Sequence, residues 1–294
     1  MNISIGVCAH NEEANISRLL ESLLAQKTKE ARVAEIIVVS DGSTDRTEEI
    51  ARGFEARGPV KLVSWRERRG KWQAINKFLE VASFEVLALS SADIIIPENT
   101  VEALCMPFAS EDRVGIVAAR SIPKNSPDRF LGYVAHLEAE LRHHLSLKTP
   151  KFSELIAFRN IVPYIPATFV DEEEIAALIR DKGYDFRYVP EAVFYNKGPQ
   201  TLGEFLSQRE RNHLGHILLS REYSYEAATL RGTRILKCLL NGLPAVYRKR
   251  GLWTGMAAAL DVFIRARARM DIFFRRGPFD YKWKMARTTK VLDD

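Results

Sequence analysis

The stretch Glu35–Asp45, EIIVVSDGSTD, restricts the possible folds of this chain more than any other. Ile36 to Ser40 form an unbroken β-branched and apolar run, the pattern of a strand covered on both faces, and it stops abruptly at the polar Asp41-Gly42-Ser43. Ser43, with Thr44, Asp45 and the helix-forming run Thr47 to Ala56 behind it, reads as an N-cap followed by acidic residues in the first turn. Strand, tight turn and helix in that order are half of a βαβ unit, and open parallel sheets bind ligands at the carboxyl ends of their strands. Asp41 therefore stands either where a small molecule would sit or where it merely caps the helix.

The same unit recurs. Ile3 to Cys8 is a first strand, followed by the loop Ala9-His10-Asn11-Glu12-Glu13 and an amphipathic helix carrying Ile16, Leu19, Leu20, Leu23 and Leu24. Val60 to Trp65 is a third strand, ending in the basic loop Arg66 to Lys71, and Lys71 opens the helix that runs from Trp72 to Val81. Val86 to Ser90 is a fourth buried strand, so Asp93 in Ser91-Ala92-Asp93 shares the carboxyl edge with Asp41. Helix Asn99–Phe108, strand Val114–Arg120 and a long helix from about Asp128 to Leu147 follow. Beyond them the alternation weakens: a short strand at Glu154–Phe158, a helix beginning at Asp171-Glu172-Glu173-Glu174 and ending near Gly183, a strand Tyr188–Phe194 broken by Pro190, and a polar helix Thr201–Ser220. The expected class is α/β, with a mainly parallel sheet flanked by helices. Such repeats also suit a dinucleotide-dependent oxidoreductase, but no G-x-G-x-x-G follows the first strand.

A composition of 46% hydrophobic and 28% charged residues is that of an ordinary globular chain, so disorder is not the default. Three widely spaced cysteines, Cys8, Cys105 and Cys238, make neither a disulfide framework nor a zinc site. A first strand beginning at Ile3 leaves no room for a leader, so a cytoplasmic location is expected. The net charge of +5 hides an asymmetry, because Thr229 to Asp294 hold fifteen basic and five acidic residues against 28 and 33 before them. The sign changes around Tyr225 to Thr229, which divides the chain into an expected catalytic domain, 1–225, and a basic helical tail, 226–294. Leu239 to Tyr247 and Leu252 to Phe274 are apolar but too interrupted to span a bilayer. On a helical wheel Met256, Ala259, Leu260, Phe263, Met270, Phe273 and Phe274 share one side, with Arg265 and Arg269 away from it and Arg267 intruding. That face suits a membrane surface or the domain itself; a peripheral position on the inner face of the membrane is expected, with no nucleic-acid partner.

Together these positions resemble the family 2 glycosyltransferases of the inverting GT-A type, over about Ile3 to His216. Ala9-His10-Asn11-Glu12-Glu13 is similar to the family's first loop, P-x-Y-N-E, which implies that Ala9, Asn11 and Glu12 lie against the nucleotide base. Val38 to Asp45 is close to the family's most recognisable string, and its Asp41 would accept a hydrogen bond from the base. Gly70-Lys71 with Ala74 and Asn76 resembles G-K-x-x-A-x-N, which places Lys71 at the diphosphate. Ser91-Ala92-Asp93 falls where the family has D-x-D; Asp93 matches the carboxylate that reaches a divalent cation, Mg²⁺ or Mn²⁺, and Ser91 replaces the first Asp. Val170-Asp171-Glu172 precedes a G-Y-x-x-x-Y-V-P-E-A segment, Gly183 to Ala192, and so resembles the family's E-D or D-D pair. Glu172 takes the position of the catalytic base, normally Asp, and Asp171 is the alternative. The remaining possibility for these acids is charge complementarity to the helix dipole. Gln208 and Arg211 match Q-x-x-R-W, with Asn212 in place of Trp, which argues for single transfers and against a polysaccharide synthase.

The resemblance implies metal-assisted transfer of a hexose from a nucleotide-diphosphate sugar to a hydroxyl acceptor, one that is lipid-linked or lies at the membrane. The departures at Ser91, Glu172 and Asn212 keep a catalytically impaired nucleotide-sugar-binding protein as the alternative.

Overall fold

The computed structural model describes residues 1–241, 250–275, 277–282, 286–290 and 292. Pro244 and Arg248-Lys249, which interrupt the first apolar run of the tail, lie outside the described residues. Six βα-type steps build the architecture: β1 (Asn2–Ala9), α1 (Ile16–Leu24), β2 (Arg32–Asp41), α2 (Thr47–Glu55), β3 (Val60–Trp65), α3 (Lys71–Val81), β4 (Val86–Ser91), α4 (Thr100–Ser110), β5 (Val114–Pro123), α5 (Phe130–Ser146), β6 (Leu155–Arg159), α6 (Asp171–Asp181) and β7 (Asp185–Asn196). Among the described residues, helices α7 (Leu202–Glu222), α8 (Gly232–Asn241) and α9 (Gly251–Phe274) and a 3₁₀ turn, Arg287–Thr289, follow.

The strands form one seven-stranded sheet in the order β3-β2-β1-β4-β6-β5-β7. β1 pairs in parallel with both β2 and β4, so the chain order reverses between β1 and β4. That reversal opens a crevice at the carboxyl edge, the usual ligand position in such sheets. β6 alone runs against its neighbours, antiparallel to both β4 and β5. The continuous apolar runs are explained by cover on both faces. Ile36 and Val38 of β2 pack with α1, α2 and α4, whereas Ile37 and Val39 pack with α3 and α6. Gly6 in the central strand has a steric reason: a Cβ there would lie 2.6 Å from the buried Phe78 ring.

Two local expectations are corrected. Ser43 does not cap α2; that helix starts at Thr47, whose N–H donates to the Asp45 carboxylate, while the Ser43 hydroxyl accepts from the Asn11 N–H. The short polar side chain is better used to hold two loops together. Nor does Pro190 break the last strand. β7 runs unbroken from Asp185 to Asn196, and its register with β5 slips so that Val189 and Val193 face Ala119 and Arg120 in succession. The missing proline N–H is absorbed by this bulge on an edge strand.

Helix α9 has two apolar faces. Trp253, Ala257, Leu260 and Ile264 pack with Tyr133, Leu137, Leu141 and Phe205 of α5 and α7. Met256, Phe263, Met270, Phe273 and Phe274 instead face outward with Leu252 and Val262, and Leu252 and Phe273 are 77% and 81% exposed. Leu260 thus leaves the face assigned to it on the wheel and joins the inner stripe. Among the described residues no helix is long and apolar enough to cross a membrane.

Candidate active site

The carboxyl ends of β1, β2 and β4 and the start of α6 line one cleft of about 1320 Å³, which continues between α5, α7, α8 and α9. The β2 end is built by Asp41. Its carboxylate accepts from Trp65 Nε1 at 2.7 Å, the Arg69 N–H at 2.6 Å and the Gly70 N–H at 2.8 Å. Asp41 therefore folds the β3–α3 loop across the sheet edge and does not cap α2. Asp41 also lines the cleft. Gly42 makes the turn possible: its φ is +65°, and a Cβ would lie 2.5 Å from the Arg68 nitrogen. The β1 loop is tied to this turn, with His10 Nδ1 2.7 Å from the Asp41 carbonyl, the Thr44 N–H donating to Asn11 at 2.7 Å, and the Glu12 N–H donating to Thr47 at 2.7 Å. Of the three arginines in the basic loop, Arg68 lines the cleft and Arg66 and Arg69 are exposed.

Lys71 opens α3 and reaches across to α6. Its ammonium lies 2.6 Å from Glu172 and 3.8 Å from Asp171. Burial opposes the ammonium's charge, but Glu172 and Asp171 together outweigh it and raise the Lys71 pKa. The two carboxylates are pushed apart. Burial, reinforced by the Glu172 charge and only partly offset by Lys71, raises Asp171 to about 7. Glu172 is half-buried, and although desolvation opposes its charge, its contact with Lys71 holds it below the usual carboxylate range. At neutral pH the site thus holds an ionised Glu172 paired with Lys71, and beside it a carboxyl poised to take or release a proton. Asp171 Oδ1 is buried and has no hydrogen-bond partner among the described residues.

Ser91 and Asp93 lie at the end of β4, as expected. Glu154, which by its local sequence marks only the start of a strand, stands directly beside them, its carbonyl accepting the Ser91 N–H at 2.9 Å. Burial and the Glu154 charge raise Asp93 to about 6. Glu154 Oε2 is likewise buried without a hydrogen-bond partner among the described residues. The neighbouring Asp93 and Glu154 carboxylates suit a hard divalent ion whose shell is completed by phosphate oxygens and water. Among the described residues no three or more His, Cys, Asp or Glu side chains form a self-sufficient metal cage. Cys8 lines the cleft, but burial pushes its thiol up to about 12, which excludes a thiolate nucleophile.

Gln208 and Arg211 of α7 line the same cleft. Burial lowers Arg211 to about 10, although Asp171 and Glu172 favour its charge. His213 and His216 are buried and packed; burial lowers both, His213 to about 4, so they stand neutral. Of the four acids opening α6, Glu173 has a structural role. It is 1% exposed and accepts from Lys151 at 2.6 Å, the Phe152 N–H at 3.0 Å and the Tyr225 hydroxyl. Between α5, α7, α8 and α9 the cleft wall is mixed, with Leu137, Leu141, Leu206 and Ile235 among the charged Glu138, Arg142, Arg209 and Arg265.

The sequence profile of glycosyl transferase family 2 matches residues 4–164, more than half of the chain. This protein belongs to that family. The oxidoreductase alternative falls with the match. Poly-β-1,6-N-acetyl-D-glucosamine synthases of Staphylococcus epidermidis and Staphylococcus aureus are 24% identical over 235 residues, covering 75% of this chain and 56% of theirs. The chain thus spans about half the length of these curated relatives. A mannosyltransferase from Pyrobaculum calidifontis, solved with GDP-mannose and Mn²⁺, superposes with a TM-score of 0.65 at 20% identity, covering 94% of this chain and 88% of that one. Glucosyl-3-phosphoglycerate synthase from Mycobacterium tuberculosis, solved with Mn²⁺ and UDP-glucose, gives a TM-score of 0.53 at 23% identity over 75% of this chain and 78% of its own. The mainly parallel sheet flanked by helices is the GT-A fold of these neighbours.

Proposed function

We propose that this protein is an inverting glycosyltransferase that moves a hexose from a nucleotide-diphosphate sugar to a hydroxyl on a membrane-proximal, lipid-linked acceptor. The observation that carries this reading is the contact of Lys71 with Asp171 and Glu172, residues a hundred positions away in the chain. It joins the sheet edge, where a nucleotide and diphosphate would bind, to a carboxylate pair across one cleft. In the proposed roles Asp41 and the Ala9–Glu12 loop border the base, and Lys71 meets the charge that grows on the departing diphosphate. Asp171 removes the acceptor's proton, Glu172 keeps Lys71 in place, and Gln208 and Arg211 flank the reacting groups. Asp93 and Glu154 would hold a Mg²⁺ or Mn²⁺ ion, which supplies charge stabilisation at the diphosphate when bound.

The nucleotide site is tested by thermal stabilisation with UDP, GDP, UDP-glucose and GDP-mannose, each with and without Mn²⁺, since a ligand that binds only the folded state raises its stability. A Mn²⁺-dependent shift with one base is expected. Binding with no turnover across a broad acceptor panel would favour the impaired binding protein.

The lipid-linked acceptor is supported by the outward apolar stripe of α9, which lies beside the exposed Arg267 and Arg269. An apolar stripe flanked by cations matches an anionic bilayer surface, and the division near residue 225 into a catalytic unit and a basic helical segment fits this arrangement. The wild-type protein is expected to co-sediment with vesicles containing phosphatidylglycerol, and a Phe263→Glu/Phe273→Glu double variant to lose most of that binding while keeping its nucleotide-induced stabilisation. Both side chains are on the exposed face, so undiminished co-sedimentation of the variant would discard the membrane reading.

A further inference from the structure

We infer that Lys290 is a donor-binding residue, its ammonium gripping the diphosphate beside Asp93; this rests on the nucleotide-sugar reading of the cleft. Residues 286–290 and 292, beyond α9, lie at the cleft and are fastened on both sides. On one side, Asn15 of the β1–α1 loop donates to the Lys290 carbonyl, and Arg18 of α1 donates to the Leu292 carbonyl at 2.5 Å. On the other, the Gln200 N–H donates to the Thr288 hydroxyl at 3.0 Å, and the Thr288 N–H donates to Glu204 of α7 at 3.3 Å. The bridge so formed carries Lys290 into the cleft wall, where its ammonium pairs with Glu12 and lies 3.8 Å from Asp93.

The position has an electrostatic logic. Glu12 is 4% exposed, so its carboxylate is shielded from water and holds the ammonium in one place. Glu12 has a further partner in the Asn15 amide at 3.0 Å, which orients it. Asp93 and Glu154 together leave negative charge at this end of the cleft, and Ser91 contributes none. A diphosphate arriving there brings more, and a lysine ammonium is the compact charge suited to phosphate oxygens. At 3.8 Å Lys290 is beyond hydrogen-bond distance of Asp93, so it does not consume that carboxylate as a plug would. Glu12, assigned to the base loop by its place in the motif, acts here as the positioning residue for Lys290.

The test is calorimetric binding of UDP and GDP, with and without Mn²⁺, to wild type, Lys290→Ala and Lys290→Arg. A charge-assisted contact to phosphate predicts that Lys290→Ala weakens the preferred nucleotide by about tenfold or more. Lys290→Arg should retain most of the affinity, and the alanine variant should depend more steeply on Mn²⁺. If wild type binds a nucleotide and Lys290→Ala binds it equally well or more tightly, this inference is overturned and the segment is a latch or a structural strap. If wild type binds neither nucleotide at any Mn²⁺ concentration, the donor reading and this inference fail together.

Discussion

Asp171→Asn is expected to lower kcat by about 10²–10⁴-fold, the usual contribution of a positioned general base, while nucleotide binding persists. In wild type, kcat/KM should rise with pH through about 7, where the Asp171 carboxyl loses its proton. The same substitution should stabilise the fold at alkaline pH. The folded-state pKa of Asp171 lies above its unfolded value of about 4, so its stability contribution is present at low pH and lost as pH rises through about 7. An uncharged asparagine escapes that loss. Asp171→Asn should therefore melt above wild type at pH 8 and near it at pH 4. Glu172→Gln should do the opposite, because Glu172 is held low and its removal deprives the half-buried Lys71 of its closest partner. Variant enzymes with unaltered turnover but these melting shifts would leave the acids with a structural role and remove them from the chemistry.

Glu173→Ala should cost about 3–5 kcal/mol, a fall in Tm on the order of 10 °C, because it strands a buried ammonium. Lys151 is only 12% exposed and loses its carboxylate, and the Phe152 N–H and the Tyr225 hydroxyl lose their acceptor. These three partners come from the α5–β6 connection and from the segment after α7, so Glu173 ties the start of α6 to both. A Lys151→Met/Glu173→Leu double variant should recover part of the loss, since neither ion is then left alone. Thermal denaturation followed by circular dichroism measures both values. A single-variant loss within about 0.5 kcal/mol, the range of ordinary surface changes, would rule out this anchoring role.

The contrast between Glu173 and its neighbours shows where local reading stops. Asp171-Glu172-Glu173-Glu174 is a uniform acidic run at a helix start, and helix-dipole arguments treat its members alike. Their separate roles come from what each meets: Lys71 for the first two, Lys151 and Tyr225 for Glu173. Position within a turn of helix says which way each points, but not what has been folded against it. Glu154 was missed for the same reason, because a residue at the start of a short strand gives no sign of its neighbour until β6 is seen antiparallel to β4. Lys290 is further still from any local signal, since nothing in its surroundings along the chain indicates Glu12 or Asp93.

From the amino-acid order alone came the alternation of strands and helices, the two-sided burial of the central strands, and the carboxyl-edge placement of Asp41, Lys71 and Asp93. Those features rest on local periodicity and on the abrupt change from apolar run to polar turn, which a one-dimensional pattern records. The sequence likewise carried the family resemblance, through motifs compact enough to be recognised one at a time. The tertiary structure decided the insertion of β6 against its neighbours, the engagement of Asp41 by the β3–α3 loop, the division of labour among the α6 acids and the return of Lys290 to the cleft. Each of these depends on which distant surfaces meet, and the charge state of a buried group is set by the partners that replace water around it rather than by its neighbours in the chain.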